Sequence, residues 1–297
     1  MKFKCAALLI LCSLFAQAQV GENTSLFIQD SLKLISSQFK FTEGASVDRK
    51  GNVFFTDQPN DQIWKYSIDG KLSLFMAKSG RSNGTFFDRN GNLITCADEK
   101  NEIWSIMPNG KMKLIYKNPD GQNLNGPNDL WVDAKGGIYF TDPYYQRNYW
   151  SRNAPELKGE KLYYLPKGKK KIITLDNDLI RPNGIVGTPN GEILYVADAL
   201  GNKIYQYDIK KDGMLTNRKI LISQKSDGMT LDEKNNLYLT GKNGVDIYSK
   251  EGKHIGNIKI PEPHTANLCF GGEHRDILFI TASKSVYILP MKVKGVE

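Results

Sequence analysis

The feature that most constrains this chain is a repeat carried by its tight turns. "SVDRKGNVFFTDQPNDQIWKYSIDGKLSLF" (46–75) and "FFDRNGNLITCADEKNEIWSIMPNGKMKLI" (86–115) match almost position for position. "WVDAKGGIYFTDP" from Trp131, "VGTPNGEILYVADALGNKIYQYD" from Val186, "LDEKNNLYLTGKNGVDIYS" from Leu231 and "FGGEHRDILFITASKSVYIL" from Phe270 continue it. The hairpin positions anchoring the six copies are Gly51, Gly91, Gly136, Gly191, Asn235 and Arg275. Each copy reads strand, tight turn, strand, loop, strand, turn, strand, and almost no segment has helical periodicity. Four antiparallel strands repeated every ~40 residues make a propeller blade. An all-β fold is therefore expected, a six-bladed β-propeller of four-stranded antiparallel blades. The sixth copy ends after its third strand. "SLKLISSQF" (31–39) is expected to supply the missing outer strand and close the ring, leaving no open edge.

The first 18 residues read as a targeting segment rather than as part of this fold. Lys2 and Lys4 precede the apolar "CAALLILCSLFA", and "AQA" (16–18) puts small residues before a cleavage point at Gln19. The apolar run is too short for a comfortable membrane span. Bulky Leu11 before Cys12 disfavours a lipid anchor. A cleaved signal peptide (1–18), a propeller domain (19–297) and a periplasmic or secreted location are the expectations. Removing Lys2 and Lys4 from 40 cations against 32 acids leaves 38 − 32 = +6. The excess is scattered, as in "KGKKK" (167–171), and suits a solvated strand edge rather than nucleic-acid binding. Of the two remaining cysteines, Cys96 and Cys269, each lies in an apolar run and reads as a buried thiol rather than half of a disulfide.

Counting back eight residues from each anchor reaches Glu43, Asn83, Asn128, Asn183, Asp227 and Asn267. This slot begins each blade's innermost strand, so six side chains should ring one mouth of the central tunnel. Taken singly, Asn and Asp are ordinary turn formers. Turn chemistry does not account for Glu43, nor for six oxygen-bearing side chains in register. Converging oxygens in a partly dry site repel one another unless a cation is present. Hard oxygen ligands of low charge suit Ca²⁺; Mg²⁺ and Mn²⁺ also fit. Zn²⁺ is the least favoured, since His254, His264 and His274 all lie outside the ring positions.

The ordered set "FTEG", "NGPND", "FTDP", "RPNG", "SDGM" and "NLCFGG" resembles the gluconolactonase branch of the senescence marker protein/gluconolactonase/luciferin-regenerating family, over roughly residues 41–288. The resemblance implies a six-bladed propeller and a divalent-metal site held by Glu43, Asn128, Asn183 and Asp227, with Asp227 as general base. Asp129, the neighbour of Asn128, falls outside the register. Ala45, Ser46 and Val47 stand where the family commonly has Pro and an aromatic residue.

These readings predict an exported metal-dependent hydrolase that opens a sugar lactone. The metal would act on the carbonyl oxygen and an attacking water, and Asn83 and Asn267 would face the substrate. The longest loop, from Asp142 to about Gly159, carries Tyr144, Tyr145, Arg147, Tyr149 and Trp150 and suits a lid over the mouth. Asp142, Tyr144 and Arg147 are its candidate substrate contacts, although Asp57, Asp98 and Asp198 recur at nearly the same repeat position as Asp142. "GRSNG" (80–84) fits the nucleophile-elbow pattern, yet strand and hairpin follow it instead of a helix, so Ser82 is not read as a nucleophile. Two alternatives are a promiscuous esterase or phosphotriesterase using the same metal, and a non-catalytic ligand-binding propeller with a structural calcium. Oligomeric state is not legible.

Overall fold

Each repeat turns on a residue in the left-handed region. All six anchors have positive φ, from 59° at Arg275 to 93° at Gly51, a conformation that glycine adopts without a Cβ clash and that asparagine tolerates. Side chains lock the same turns. Asp48 accepts the N–H groups of Lys50 and Asn52, and Asp88, Asp133 and Asp232 repeat this arrangement.

The computed structural model describes residues 26–118 and 121–296; the expected signal segment and its cleavage point lie outside the described residues. β1 (Lys33–Ser36) precedes blade 1, which is β2 (Thr42–Val47), β3 (Val53–Asp57), β4 (Gln62–Tyr66) and β5 (Leu72–Ala77). Blade 2 is β6 (Ser82–Phe87), β7 (Leu93–Ala97), β8 (Glu102–Ile106) and β9 (Met112–Tyr116). Blade 3 is β10 (Leu130–Val132), β11 (Ile138–Asp142), β12 (Glu160–Leu165) and β13 (Ile173–Leu179). Blade 4 is β14 (Pro182–Gly187), β15 (Ile193–Asp198), β16 (Lys203–Ile209) and β17 (Leu215–Ile222). Blade 5 is β18 (Met229–Leu231), β19 (Leu237–Gly241), β20 (Gly244–Tyr248) and β21 (His254–Ile258). Blade 6 takes β22 (Thr265–Gly271), β23 (Ile277–Ala282) and β24 (Ser285–Pro290) from the end of the chain. Its outer strand is β1, with Lys33 opposite Ile288 and Leu34 opposite Tyr287, so the ring closes as the repeat predicted.

Six hydrophobic clusters fill the six interfaces between neighbouring blades. Phe54 and Ile63 of blade 1 meet Leu93 and Ile106 of blade 2. Phe55, one residue along the same strand, points the other way and packs with Cys269 and Phe279 of blade 6. Both faces of each inner sheet are thus covered, which is why runs such as "VFFTD" and "LITCA" lack the polar alternation of a half-exposed strand. Cys96 lies in the cluster between blades 2 and 3, away from that of Cys269, and both are buried thiols outside any disulfide.

Backbone packs directly on backbone where inner strands meet. A Cβ on Gly44 would lie 2.0 Å from the carbonyl oxygen of Asn83, on Gly84 2.6 Å from that of Asn128, and on Gly184 2.2 Å from that of Asp227. The glycine following four of the ring residues is a space requirement. Buried threonines bridge the same seams: Thr56, Thr141 and Thr240 donate to the carbonyls of Asn83, Asn183 and Ala266 in the next blade. Gly184→Ala is expected to cost about 3 kcal/mol, because its obstacle is backbone that cannot rotate away. Gly91→Ala, with nothing within 4 Å of the added carbon, should cost only the left-handed strain of about 1 kcal/mol. Urea midpoints of the two variants check this, and equal losses would contradict the close-approach account.

Candidate metal centre

The strand ladders break at the level of the ring. β2 slips against β3 between Glu43 and Ser46, β6 against β7 between Ser82 and Thr85, and β14 against β15 between Pro182 and Ile185. β22 slips against β23 between Thr265 and Asn267. In blades 3 and 5 the ladder starts two residues after Asn128 and Asp227, at Leu130 and Met229. A bulge re-aims side chains that would otherwise sit in the sheet pleat. The six residues line up around the axis in blade order, each beside its neighbour's backbone. Glu43, Asn83, Asn128, Asn183 and Asn267 retain between 4 and 7% exposure, and the side chain of Asp227 retains 16%.

Burial pushes the Glu43 carboxyl well above the usual range, and the charges of Asp227 and Asp129 push it further. The Gly44 N–H and the Asn267 amide oppose that shift without cancelling it. Asp129 is therefore a third acid at the site. Its carboxylate accepts the N–H of Leu130 at 2.9 Å and that of Ile185 in the next blade at 3.4 Å. It makes with a side chain the inter-blade contact that glycine makes in the other motifs.

The donor set fits a hard divalent cation. The Asn128 side chain forms no hydrogen bond among the described residues. Among the described residues Asn183 uses only Nδ2, toward Tyr145, and Asp227 uses only Oδ2, toward His264. Each keeps an oxygen with no partner among the described residues, beside a Glu43 carboxyl destabilised by burial and neighbouring negative charge. The candidates are two acids and two amides. Among the described residues no group of three His, Cys, Asp or Glu side chains is placed to hold a metal, so an ion here depends on amide oxygens, as calcium sites permit.

Outside the ring, His264 Nε2 lies 2.7 Å from Asp227 Oδ2, and its ring stacks against Phe41 at 6.0 Å. The bond to Asp227 raises the His264 pKa against the opposing effect of burial. The insert after β11 reaches the ring through Tyr145, whose hydroxyl is 3.3 Å from Asn183 Nδ2. Asp98 anchors that insert, accepting from Arg147 Nε at 2.9 Å and from the Tyr149 hydroxyl, while its carbonyl accepts from Trp150 Nε1.

Residues 41–284 match the model of the SMP-30/Gluconolactonase/LRE-like region. The chain belongs to this family. It is 28% identical over 301 aligned positions to the gluconolactonase of Zymomonas mobilis, covering 91% of this chain and 84% of the relative. A solved gluconolactonase structure from Xanthomonas campestris superposes with a TM-score of 0.81 at 25% identity, over 88% of this chain and 89% of that one. The diisopropyl-fluorophosphatase of Loligo vulgaris is 27% identical over 183 positions, 56% of each protein.

Several expected contacts of this SMP-30/gluconolactonase-like chain stand elsewhere. Asp142 is fully buried, and its two oxygens accept the N–H groups of Asn125 and Gly126. Asp57 and Asp198 latch the corresponding backbone at Lys40/Phe41 and Ile180/Arg181. Asp142 is a latch, so the substrate-contact expectation for it is corrected: no oxygen is left to face the mouth. Burial raises its pKa to about 7. Tyr144 bonds Gln146 and packs on Trp150, and Arg147 is spent on Asp98; both serve the insert's own packing. Asn267 braces Glu43 and accepts the Leu268 N–H, whereas the Asn83 side chain forms no hydrogen bond among the described residues. Ser82 is buried, donates to the Ser79 carbonyl and opens a strand, which removes it as a nucleophile. Ser46, at the departure from the family pattern, contacts Thr85 Oγ1 of blade 2 at 2.7 Å. A groove of about 600 Å³, lined by Glu99, Asn101, Asn123, Tyr149, Trp150 and Arg152 among others, flanks the insert and includes no ring residue. The ring is a narrower site chosen by its chemistry.

Two outcomes are expected. A raised carboxyl pKa in the native state means that the folded protein holds the proton more tightly. That contribution is full below about pH 4 and is lost as pH rises through the folded value. Metal-free protein should lose stability as pH rises above about 4.5, and Glu43→Gln should lose less over the same rise; parallel curves of urea midpoint against pH would contradict this. Asp142→Asn should cost about 2 kcal/mol, because an amide nitrogen would face a backbone N–H. Substrate KM should stay within about twofold of wild type, and a larger rise would return Asp142 to the binding site.

Proposed function

We propose that this protein is a divalent-metal-dependent lactonase that opens a sugar lactone to its aldonic acid. The reading is carried by the ring, in which Asn128, Asn183 and Asp227 each retain an oxygen with no partner among the described residues, beside the buried Glu43 carboxyl. Its support is the likeness to the Zymomonas mobilis gluconolactonase over most of both chains. Glu43, Asn128, Asn183 and Asp227 would hold the ion, and two carboxylates with two amides suit Ca²⁺ best. When bound, such an ion polarises a carbonyl oxygen and lowers the pKa of water.

The chemistry left to the chain is proton handling and orientation. Water adds across the acyl–oxygen bond: its oxygen joins the carbonyl carbon, the ring C–O bond breaks, and a proton reaches the departing ring oxygen. Asp227 suits the role of proton carrier. Its Oδ2 is held by His264, and the other oxygen, with no partner among the described residues, can take the water proton and return it to the leaving oxygen. Asn83 offers an accepting amide oxygen and a donating amide N–H to sugar hydroxyls. The proposal also includes export, with residues 1–18 removed and the enzyme acting in the periplasm or outside the cell.

Purified protein should hydrolyse aldonolactones, lose the activity to a chelator and regain it with Ca²⁺. Asp227→Ala should lower kcat about 10³-fold; retention of activity in this variant would remove the base assignment. The match to a diisopropyl-fluorophosphatase favours dialkyl fluorophosphates as a second substrate class, and the ratio of kcat/KM on the two classes ranks them.

A further inference from the structure

The Tyr145 hydroxyl bonds the Asn183 amide, and its ring is clamped. The guanidinium of Arg147 lies 5.7 Å from the ring centroid and that of Arg181 4.7 Å away. Each guanidinium is itself tethered, Arg147 to Asp98 at 2.9 Å and Arg181 to Glu160 at 3.0 Å. Asp98 is available for this because its repeat position has lost its latch. In blade 2 the N–H of Arg81 goes to Asp61 instead, at 2.6 Å, whereas Asp57, Asp142 and Asp198 stay bound to backbone. Moving the Tyr145 hydroxyl would break cation–π contacts and ion pairs together.

As arranged here, that hydroxyl takes the nitrogen end of Asn183. A carboxamide has an accepting oxygen and a donating nitrogen, and only the oxygen can bind a cation. Accepting from Nδ2 at 3.3 Å, Tyr145 leaves Oδ1 available. The reverse orientation would present an N–H to the ion. Asp227 is restrained in a comparable way by His264, but a carboxylate offers an oxygen at either end, whereas Asn183 has to be oriented.

We infer that Tyr145 is a positioning residue that holds the Asn183 carboxamide with its oxygen free for a cation, so that the insert after β11 is part of the cation-binding apparatus and not only a cover for the mouth. The inference rests on the reading of Asn183 as a ligand given above. It makes Tyr145, rather than Tyr144 or Arg147, the insert residue on which ion affinity depends.

The test is calorimetric titration of Ca²⁺ into chelator-stripped wild type, Tyr145→Phe, Asn183→Asp and the double variant, with metal-free melting curves alongside. Phenylalanine keeps the ring between the two arginines. The expected result is a 10- to 100-fold weaker Ca²⁺ affinity for Tyr145→Phe with an unchanged metal-free Tm. In the Asn183→Asp background both ends of the side chain are oxygens, nothing needs orienting, and Tyr145→Phe should have no further effect. Wild-type affinity in Tyr145→Phe overturns the inference and leaves the ring reading intact. An equal loss in both backgrounds overturns it, as does a loss matched by a lower metal-free Tm, since the hydroxyl would then brace the fold. No Ca²⁺ binding by wild type overturns the ring reading, and the inference with it.

Discussion

Six sheets can close around one axis only if their innermost strands lie backbone against backbone. That contact is tight: side-chain carbon on Gly44, Gly84 or Gly184 would fall between 2.0 and 2.6 Å from a carbonyl oxygen of the next blade. The same approach sets the ring residues of adjacent blades side by side. Closure of the fold and convergence of the oxygens are one constraint seen from two sides. Blade 3 meets it differently, with Asp129 reaching the backbone N–H of Ile185, and this exception adds a negative charge to the site.

The resulting electrostatics run against burial. Glu43 is enclosed near Asp227 and Asp129 with few donors to balance them, an arrangement that costs stability unless a proton or a cation joins it. Elsewhere in the fold buried acids are matched to donors, as Asp142 is to two backbone N–H groups. A local departure from polar matching amid otherwise consistent packing marks a candidate functional position. Here it coincides with the residues that the family resemblance assigns to a metal.

Repetition makes the exceptions informative. The aspartate at the end of the second strand latches the chain entry to its own blade at Asp57, Asp142 and Asp198. It is released at Asp98, where the insert of the next blade uses it. The insert is legible in the sequence as a loop of aromatic and basic residues, in which Asp142, Tyr144 and Arg147 are the expected substrate contacts. It has no period, so Tyr144, Tyr145 and Arg147 look alike in the sequence, and only packing separates the one that touches Asn183. His264 stands outside the ring register, three residues before Asn267. It reaches Asp227 across the boundary between blades 5 and 6, and being a histidine so close to the slot was its only signal.

The blade count, the hairpins, the closing strand and the six polar positions were determined by the sequence itself, because tight turns and strand alternation are local and recur at fixed offsets. The tertiary structure alone decided what each polar side chain does there. A hydrogen bond depends on what the neighbouring blade presents, and that neighbour is distant in sequence: Asn183 meets Tyr145, Asp227 meets His264, and Asn267 meets Glu43 across the point where the ring closes.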